Sequence, residues 1–199
     1  VVKLHCEPNG HFPHNPEPLK KHLEDLSKEV VAQQADFGIA VDPDVDRLVF
    51  MDERGTLFSE EYTLVACADY VLKKTPGPTV SNLSSTRALA EISQRYQQSY
   101  FASAVGEVNV VEIMKKSNAV IGGEGNGGVI YPDLHYGRDA LVGIVLFLSL
   151  LVEKKCTVSR LKEQYPAFYM EKTKVNLPKD IKIDVLMNQM AQLYAKEQI

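Results

Sequence analysis

The sequence predicts an α/β chain made of two related units, each a mixed sheet flanked by helices. Three observations carry this reading. The stretches "ADFGIAVDPDVDRLVFMD" and "NAVIGGEGNGGVIYPD" share one outline, an apolar strand, a polar loop and a second strand. Amphipathic helical patterns stand before, between and after them. "TPGP", residues 75–78, is the clearest punctuation between the two. The units are therefore drawn as residues 1–74 and 75–177, with 178–199 a linker running into a helix.

Taken in order, "NPEPLKKHLEDLSKEVVAQQ" reads as a helix with Leu19, Leu23, Leu26 and Val30 on one face, blocked upstream by Pro16 and Pro18. Next come a strand, an acidic turn, a strand and a turn at "DERG". "SEEYTLVACADYVLKK" reads as a helix with Ser59 as its N-cap and Glu60 and Glu61 favourable to its dipole. Beyond "TPGP" the pattern restarts with a strand at "TVSNL", a helix around "TRALAEISQRY", a turn, and a helix around "EVNVVEIMKK" that Glu107 opens. The run "ALVGIVLFLSLLV", closed by "EKK", is shorter than the ~20 residues of a bilayer span and reads as a buried helix. Met187 and Met190 fall on one apolar face of the last helix.

Composition narrows the function classes. The 199 residues are 45% hydrophobic and 24% charged, with a net charge of -4 and no Lys/Arg cluster, which disfavours nucleic acid and anionic membranes as partners. Cys6, Cys67 and Cys156 are odd in number and far apart, as expected of reduced packing cysteines in a cytoplasmic protein. His5, His11, His14, His22 and His135 lie apart and are not expected to cluster, with His135 a candidate lining residue for a ligand site. The chain opens on "VVKLHCEPNG" without a Met, and it reads as a piece of something longer.

"VDPDVDRLVF" crowds Asp42, Asp44 and Asp46 between two segments that want burial. Alternating carboxylates in a tight turn converge on a hard cation such as Mg²⁺ or Ca²⁺. Pro43 restricts the backbone, and Arg47 offers a bidentate grip on a carboxylate or phosphate. An EF-hand needs glycine where Arg47 stands, although Glu53 falls at its twelfth position. A haloacid-dehalogenase-like phosphatase also sets D-x-D after a strand, with Asp42 as nucleophile, and "DERGTL" echoes its second half at the wrong distance. A non-catalytic cation-binding module and a plain solvated acidic turn complete the alternatives.

"GGEGNGG", residues 122–128, satisfies G-x-G-x-x-G, but "VIYPD" follows where a dinucleotide fold needs a helix. A polyol site fits the residues better, with Glu124 accepting hydroxyls and Asn126 both donating and accepting. Taken by itself, though, the loop reads first as a flexible hairpin whose glycines supply positive φ.

Four segments in order, "PNGHFPHNPEP", "DPDVDR", "SAVGEVNV" and "GGEGNGGVIYPDLHYGRDAL", resemble the α-D-phosphohexomutases, the phosphoglucomutase/phosphomannomutase family, and in particular its phosphoglucosamine-mutase-like members. The resemblance implies a four-domain enzyme that interconverts hexose 1-phosphate and 6-phosphate through a phosphoserine and a bisphosphate. It maps Asp42, Asp44 and Asp46 as Mg²⁺ ligands, Arg47 as a residue positioning the phosphoserine, and Glu124 and Asn126 as sugar-loop residues. The chain would then hold the end of domain 2, domain 3, and a lead into domain 4. It departs from the pattern in three ways. "GEGNGG" stands for G-E-x-S-G-H, leaving the sugar preference between glucosamine, glucose and mannose. "TVSNLSSTRA" has no lysine, and Ala102 rather than a basic residue precedes Ser103, so no general acid/base is named. No serine-histidine motif of the phosphoserine kind is present, so the chain alone is expected to be inactive. Its partners would be a hexose phosphate and domains 1 and 4 of the same polypeptide, and the half domain leaves a sheet edge available for homodimerisation.

Overall fold

In the computed structural model, which describes residues 1–171, 176–178 and 181–195, all the named strands lie in a first unit, Val1–Tyr169, and Met170–Ile199 form a second. Strands β1 (Phe37–Val41) and β2 (Leu48–Asp52) pair antiparallel in the register Phe37↔Asp52 to Val41↔Leu48. Every residue of β2 is buried, because both of its faces are covered. Leu48 and Phe50 enter the main core, where the Phe50 ring stacks on Phe147 at 3.7 Å. Val49 and Met51 alternate to the other side and join Leu23 and Val30 at helix α1 (Glu24–Ala32). Each such side chain removed from water contributes about 1.5–3 kcal/mol.

The second sheet has strand order β4-β3-β5-β6. β3 (Thr79–Asn82) runs parallel to β4 (Tyr100–Ser103) and β5 (Ile121–Glu124), and β6 (Gly128–Ile130) returns antiparallel to β5. Helices cover both faces. Ile121 and Val129 pack with α2 (Glu60–Lys74), α3 (Ala88–Arg95) and α5 (Ala140–Lys154), whereas Val80 and Ile130 pack with Val110 and Met114 of α4 (Glu107–Ser117). This mixed α/β architecture, with sheets flanked by helices, is the expected fold class. Inside it, the buried Asp69 of α2 accepts hydrogen bonds from Tyr96 (2.7 Å) and Tyr165 (2.9 Å) and lies 3.0 Å from the Lys154 ammonium. Burial and that carboxylate together hold both phenols above their ordinary range.

The structure departs from the sequence reading at several places. The helix expected over 15–34 is a 3₁₀ turn (Lys20–His22) followed by α1, because Leu23 leaves helical geometry to be buried beside Val30. Ser59 occupies the N-cap position of α2 at φ 87 and makes no capping hydrogen bond. β4 forms where a turn was expected. Its Phe101 and Ala102 are exposed, so ladder bonds to β3, rather than a hydrophobic pattern, make it a strand. α5 is buried on one side only, through Ala140, Gly143, Leu146, Phe147 and Leu150, and it leaves Leu141, Val145 and Val152 exposed. A short helix, α6 (Val158–Lys162), went unanticipated; Thr157 caps it at the Arg160 N–H. Three of the histidines do approach one another, with ring centroids 5.6 Å apart for His5 and His14 and 6.3 Å for His14 and His22.

Among the described residues no helix is long and apolar enough to cross a membrane. The three cysteines are free thiols, and burial pushes the Cys67 thiol up. In the second unit α7 (Ile183–Leu193) has no buried residue, and Met187 and Met190 are exposed on it. The expected linker and helix over 178–199 lie partly outside the described residues, at 179–180 and 196–199.

Candidate cation and sugar loops

The β1–β2 connection is folded by its own carboxylate. Asp42 Oδ1 accepts the backbone N–H groups of Asp46 (3.1 Å) and Arg47 (3.0 Å), and the Asp42 carbonyl accepts the Val45 N–H. Closing so tight a loop takes Val45 to φ 59, outside the range most L residues adopt. The closure brings one carboxylate oxygen from each of Asp42, Asp44 and Asp46 within 4.8 Å of one another. Asp42 is buried, Asp46 half-buried and Asp44 exposed. Burial pushes the Asp46 carboxyl up to about 6; the Arg138 guanidinium pulls it down, and the negative Asp42 and Asp44 add to the rise. A cluster of hard oxygen donors with surplus negative charge fits a divalent cation.

Arg47 lies beside the cluster, its Nε 3.5 Å from Asp42 Oδ2 and 3.9 Å from Asp46 Oδ1, while its Nη1 donates to Glu17 at 2.9 Å. The Glu53 of the EF-hand comparison points elsewhere, accepting the hydroxyl of Ser159 and its N–H at 3.3 Å. Burial raises the Glu53 carboxyl, but hydrogen bonds from Ser159, its own backbone and Thr157 together outweigh this and leave it at about 2.

The glycine loop reaches the acidic loop through the backbone. Leu48 N–H donates to the Gly127 carbonyl (3.1 Å), at the point where β2 begins. Gly127 sits at φ 92, and a Cβ there would lie 2.4 Å from the Leu48 carbonyl oxygen, so only glycine allows the approach. Glu124, 5% exposed, accepts Asn82 Nδ2 on Oε1 at 2.6 Å and Arg138 Nη1 on Oε2 at 2.7 Å. Asn126 turns its amide nitrogen toward Glu124 Oε2 (3.4 Å), and its oxygen accepts the Gly128 N–H. Ser85 supplies its hydroxyl oxygen to the Gly125 N–H. His135 stands apart on Asp139 at 3.0 Å, and Glu107, at the start of α4, turns to Arg138 as well.

Sequence reasoning missed Asn82, Ser85, Glu17 and above all Arg138. The Arg138 guanidinium touches Asp46, Glu124 and Glu107 together. One signal was available: Arg138 directly precedes Asp139, whose side chain caps Leu141 and Val142, so a cation stands at the positive end of α5. Such a residue is not there to stabilise the helix.

Fold and site define a class, an α/β chain that sets a carboxylate cluster suited to a cation against a carboxylate-and-amide loop suited to a hydroxylated ligand. The family model described as "Phosphoglucomutase/phosphomannomutase, alpha/beta/alpha domain III" matches residues 59–169, and that of domain II of the same family matches residues 1–55. The chain is 34% identical to the phosphoglucomutase/phosphomannomutase of Thermococcus kodakarensis over 99% of its own length and 43% of the relative's. It is 32% identical to the "Probable phosphoglucosamine mutase" of Methanopyrus kandleri, over 94% and 42%. The solved phosphoglucomutase/phosphomannomutase family protein of Burkholderia thailandensis superposes with a TM-score of 0.68 at 25% identity, covering 77% of this chain and 34% of that one. The chain belongs to the phosphoglucomutase/phosphomannomutase family. It spans less than half the length of these relatives.

Proposed function

We propose that this chain supplies the cation loop and the sugar loop of a phosphohexomutase that interconverts hexose 1-phosphate and 6-phosphate. The observation that carries the reading is the junction of the two loops, where Leu48 meets Gly127 and Arg138 spans Asp46 and Glu124. Asp42, Asp44 and Asp46 would hold Mg²⁺, which when bound offsets negative charge on the transferring phosphoryl group. Arg47 stands beside them, its Nε facing Asp42 and Asp46 and its side chain 30% exposed, and the guanidinium would help position an anion arriving at the cluster. Glu124 and Asn126 take sugar hydroxyls and fix which end of the hexose faces the cluster. A serine elsewhere in the polypeptide carries the phosphoryl group to the hexose monophosphate, the bisphosphate reorients, and the serine is rephosphorylated from the other end. Glucosamine phosphate is the favoured substrate, in line with the name of the Methanopyrus relative.

In this reading the chain divides near residues 74/75 and works with a phosphoserine domain and a phosphate-gripping domain, so by itself it gives no turnover. The test is to express the protein from its whole reading frame and offer it glucosamine-, glucose- and mannose-phosphate in turn, with Mg²⁺ and a trace of hexose bisphosphate. Interconversion of one of them, falling about 10³-fold in Asp44→Ala, is the expected result. Phosphate release without interconversion, abolished by Asp42→Asn, would replace the mutase by a haloacid-dehalogenase-like phosphatase. That outcome runs against the geometry, since Asp42 Oδ1 already accepts two backbone N–H groups and Oδ2 faces Arg47. Cation uptake with no phosphosugar dependence would leave a binding module.

A further inference from the structure

Arg138 is held as few surface arginines are. Its side chain is 14% exposed, and its fork meets three carboxylates from three elements: Nη2 on Asp46 Oδ2 in the acidic loop, Nη1 on Glu124 Oε2 at 2.7 Å in the glycine loop, and Nε 3.3 Å from Glu107 Oε2 at the start of α4. Its backbone is equally fixed, for the Arg138 N–H donates to Glu107 Oε1 at 3.1 Å and the next residue is pinned between β6 and α5. Room for the stem exists only because residue 128 is glycine; a Cβ there would lie 2.4 Å from Arg138 Cδ. The Nε makes no hydrogen bond although it is buried, so a single shift of the guanidinium toward Glu107 costs no bond it now has at that atom.

We infer that Arg138 is a positioning residue that competes with the divalent cation for Asp46, and so couples occupancy of the acidic loop to the setting of Glu124 in the sugar loop. The inference rests on the cation reading above. One oxygen of Asp46 cannot serve the guanidinium and a cation at full strength together, since the two positive charges repel at contact distance. When the cation takes Asp46, the guanidinium keeps Glu124 and Glu107, and its Nη2 is left as a donor between the two loops. When the cation leaves, Arg138 closes back on Asp46 and replaces the lost positive charge. By linkage, whatever loosens Arg138 from Glu124 must weaken cation binding, because the freed guanidinium then holds Asp46 harder.

The test is a Mn²⁺ titration of the full chain followed by electron paramagnetic resonance, with circular dichroism to verify folding. Arg138→Gln is expected to bind Mn²⁺ about tenfold more tightly than the wild type, because a competing positive charge is gone. Glu124→Gln is expected to weaken Mn²⁺ binding several-fold in the wild-type background and by less than about twofold alongside Arg138→Gln, as a double-mutant cycle on a coupled pair requires. Equal or weaker Mn²⁺ binding in folded Arg138→Gln overturns the competition, and an undiminished Glu124 effect in its presence overturns the coupling. Should Arg138→Gln fail to fold, Arg138→Lys carries the cycle: one ammonium cannot bridge Asp46 and Glu124, so the Glu124 effect must shrink there too. No Mn²⁺ uptake by any variant, wild type included, overturns the cation reading and this inference with it, a pattern distinct from the others.

Discussion

The acidic loop and the glycine loop are built on the same plan, but the first keeps surplus negative charge and the second is close to neutral. Each joins an antiparallel strand pair, β1–β2 or β5–β6. In the first, two of the three carboxylates, Asp42 and Asp46, meet the two guanidiniums of Arg47 and Arg138, and Asp46 is left raised to about 6 by burial and its neighbours. In the second, one carboxylate, Glu124, is surrounded by an amide donor on each oxygen and by one of those same guanidiniums. The acidic loop thus carries a charge deficit that a ligand can fill, and the glycine loop is close to neutral and ready for hydroxyls. Arg138 is where the two accounts meet.

The sharpest way to break the pairing is at the backbone contact. Gly127→Ala forces a Cβ against the Leu48 carbonyl oxygen at positive φ, and it is expected to cost about 3 kcal/mol, lowering Tm by about 6–12 °C in a thermal melt. A melt unchanged by the substitution would mean that the loops do not touch as described. Charge removal then separates the two loops by sign. In chelator, Glu124→Gln should lose about 2–3 kcal/mol, because glutamine keeps one acceptor oxygen for the two buried donors of Arg138 and Asn82 and removes the charge that pairs with Arg138. Asp44→Asn, at the exposed member of a cluster of like charges, should gain up to about 1 kcal/mol. Denaturant midpoints of the two variants check this, and equal signs would erase the contrast drawn here.

A smaller effect lies at the far end of the β1–β2 hairpin. Glu53 is held at about 2 against an ordinary 4.5, so it binds fewer protons folded than unfolded. Its contribution to stability is therefore complete above pH 4.5 and fades as pH falls toward 2. Glu53→Gln should lower Tm near pH 7 and flatten the acid limb, so that its Tm-against-pH curve converges with the wild-type curve as pH falls from 4.5 toward 2; an unaltered curve would mean the Ser159 contact is worth nothing.

The two loops also differ in how much of them was legible in sequence. The alternating aspartates announced their own convergence, since residues 42, 44 and 46 need only a tight turn to meet. For the glycine loop, sequence pointed to Glu124 and Asn126 but not to the residues that set them, because Asn82, Ser85 and Arg138 come from 42 residues upstream to 14 downstream of the residues they hold. The same logic runs through the fold. β2, with apolar residues serving two faces, was readable, and β4, defined by its ladder to β3, was not. The break at Leu23 and the uncapped Ser59 are decided by packing and backbone geometry that no local pattern carries.

The central claim is that a cation held by Asp42, Asp44 and Asp46 sits beside the sugar loop. The most direct measurement is paramagnetic broadening of amide resonances by substoichiometric Mn²⁺ in the full chain. The account predicts that signals of Asn126 and Gly127, including the Asn126 side-chain amide, broaden together with those of residues 42–47, and that Asp44→Ala abolishes both effects. Broadening confined to residues 42–47, or spread over exposed carboxylates and indifferent to Asp44→Ala, would contradict it.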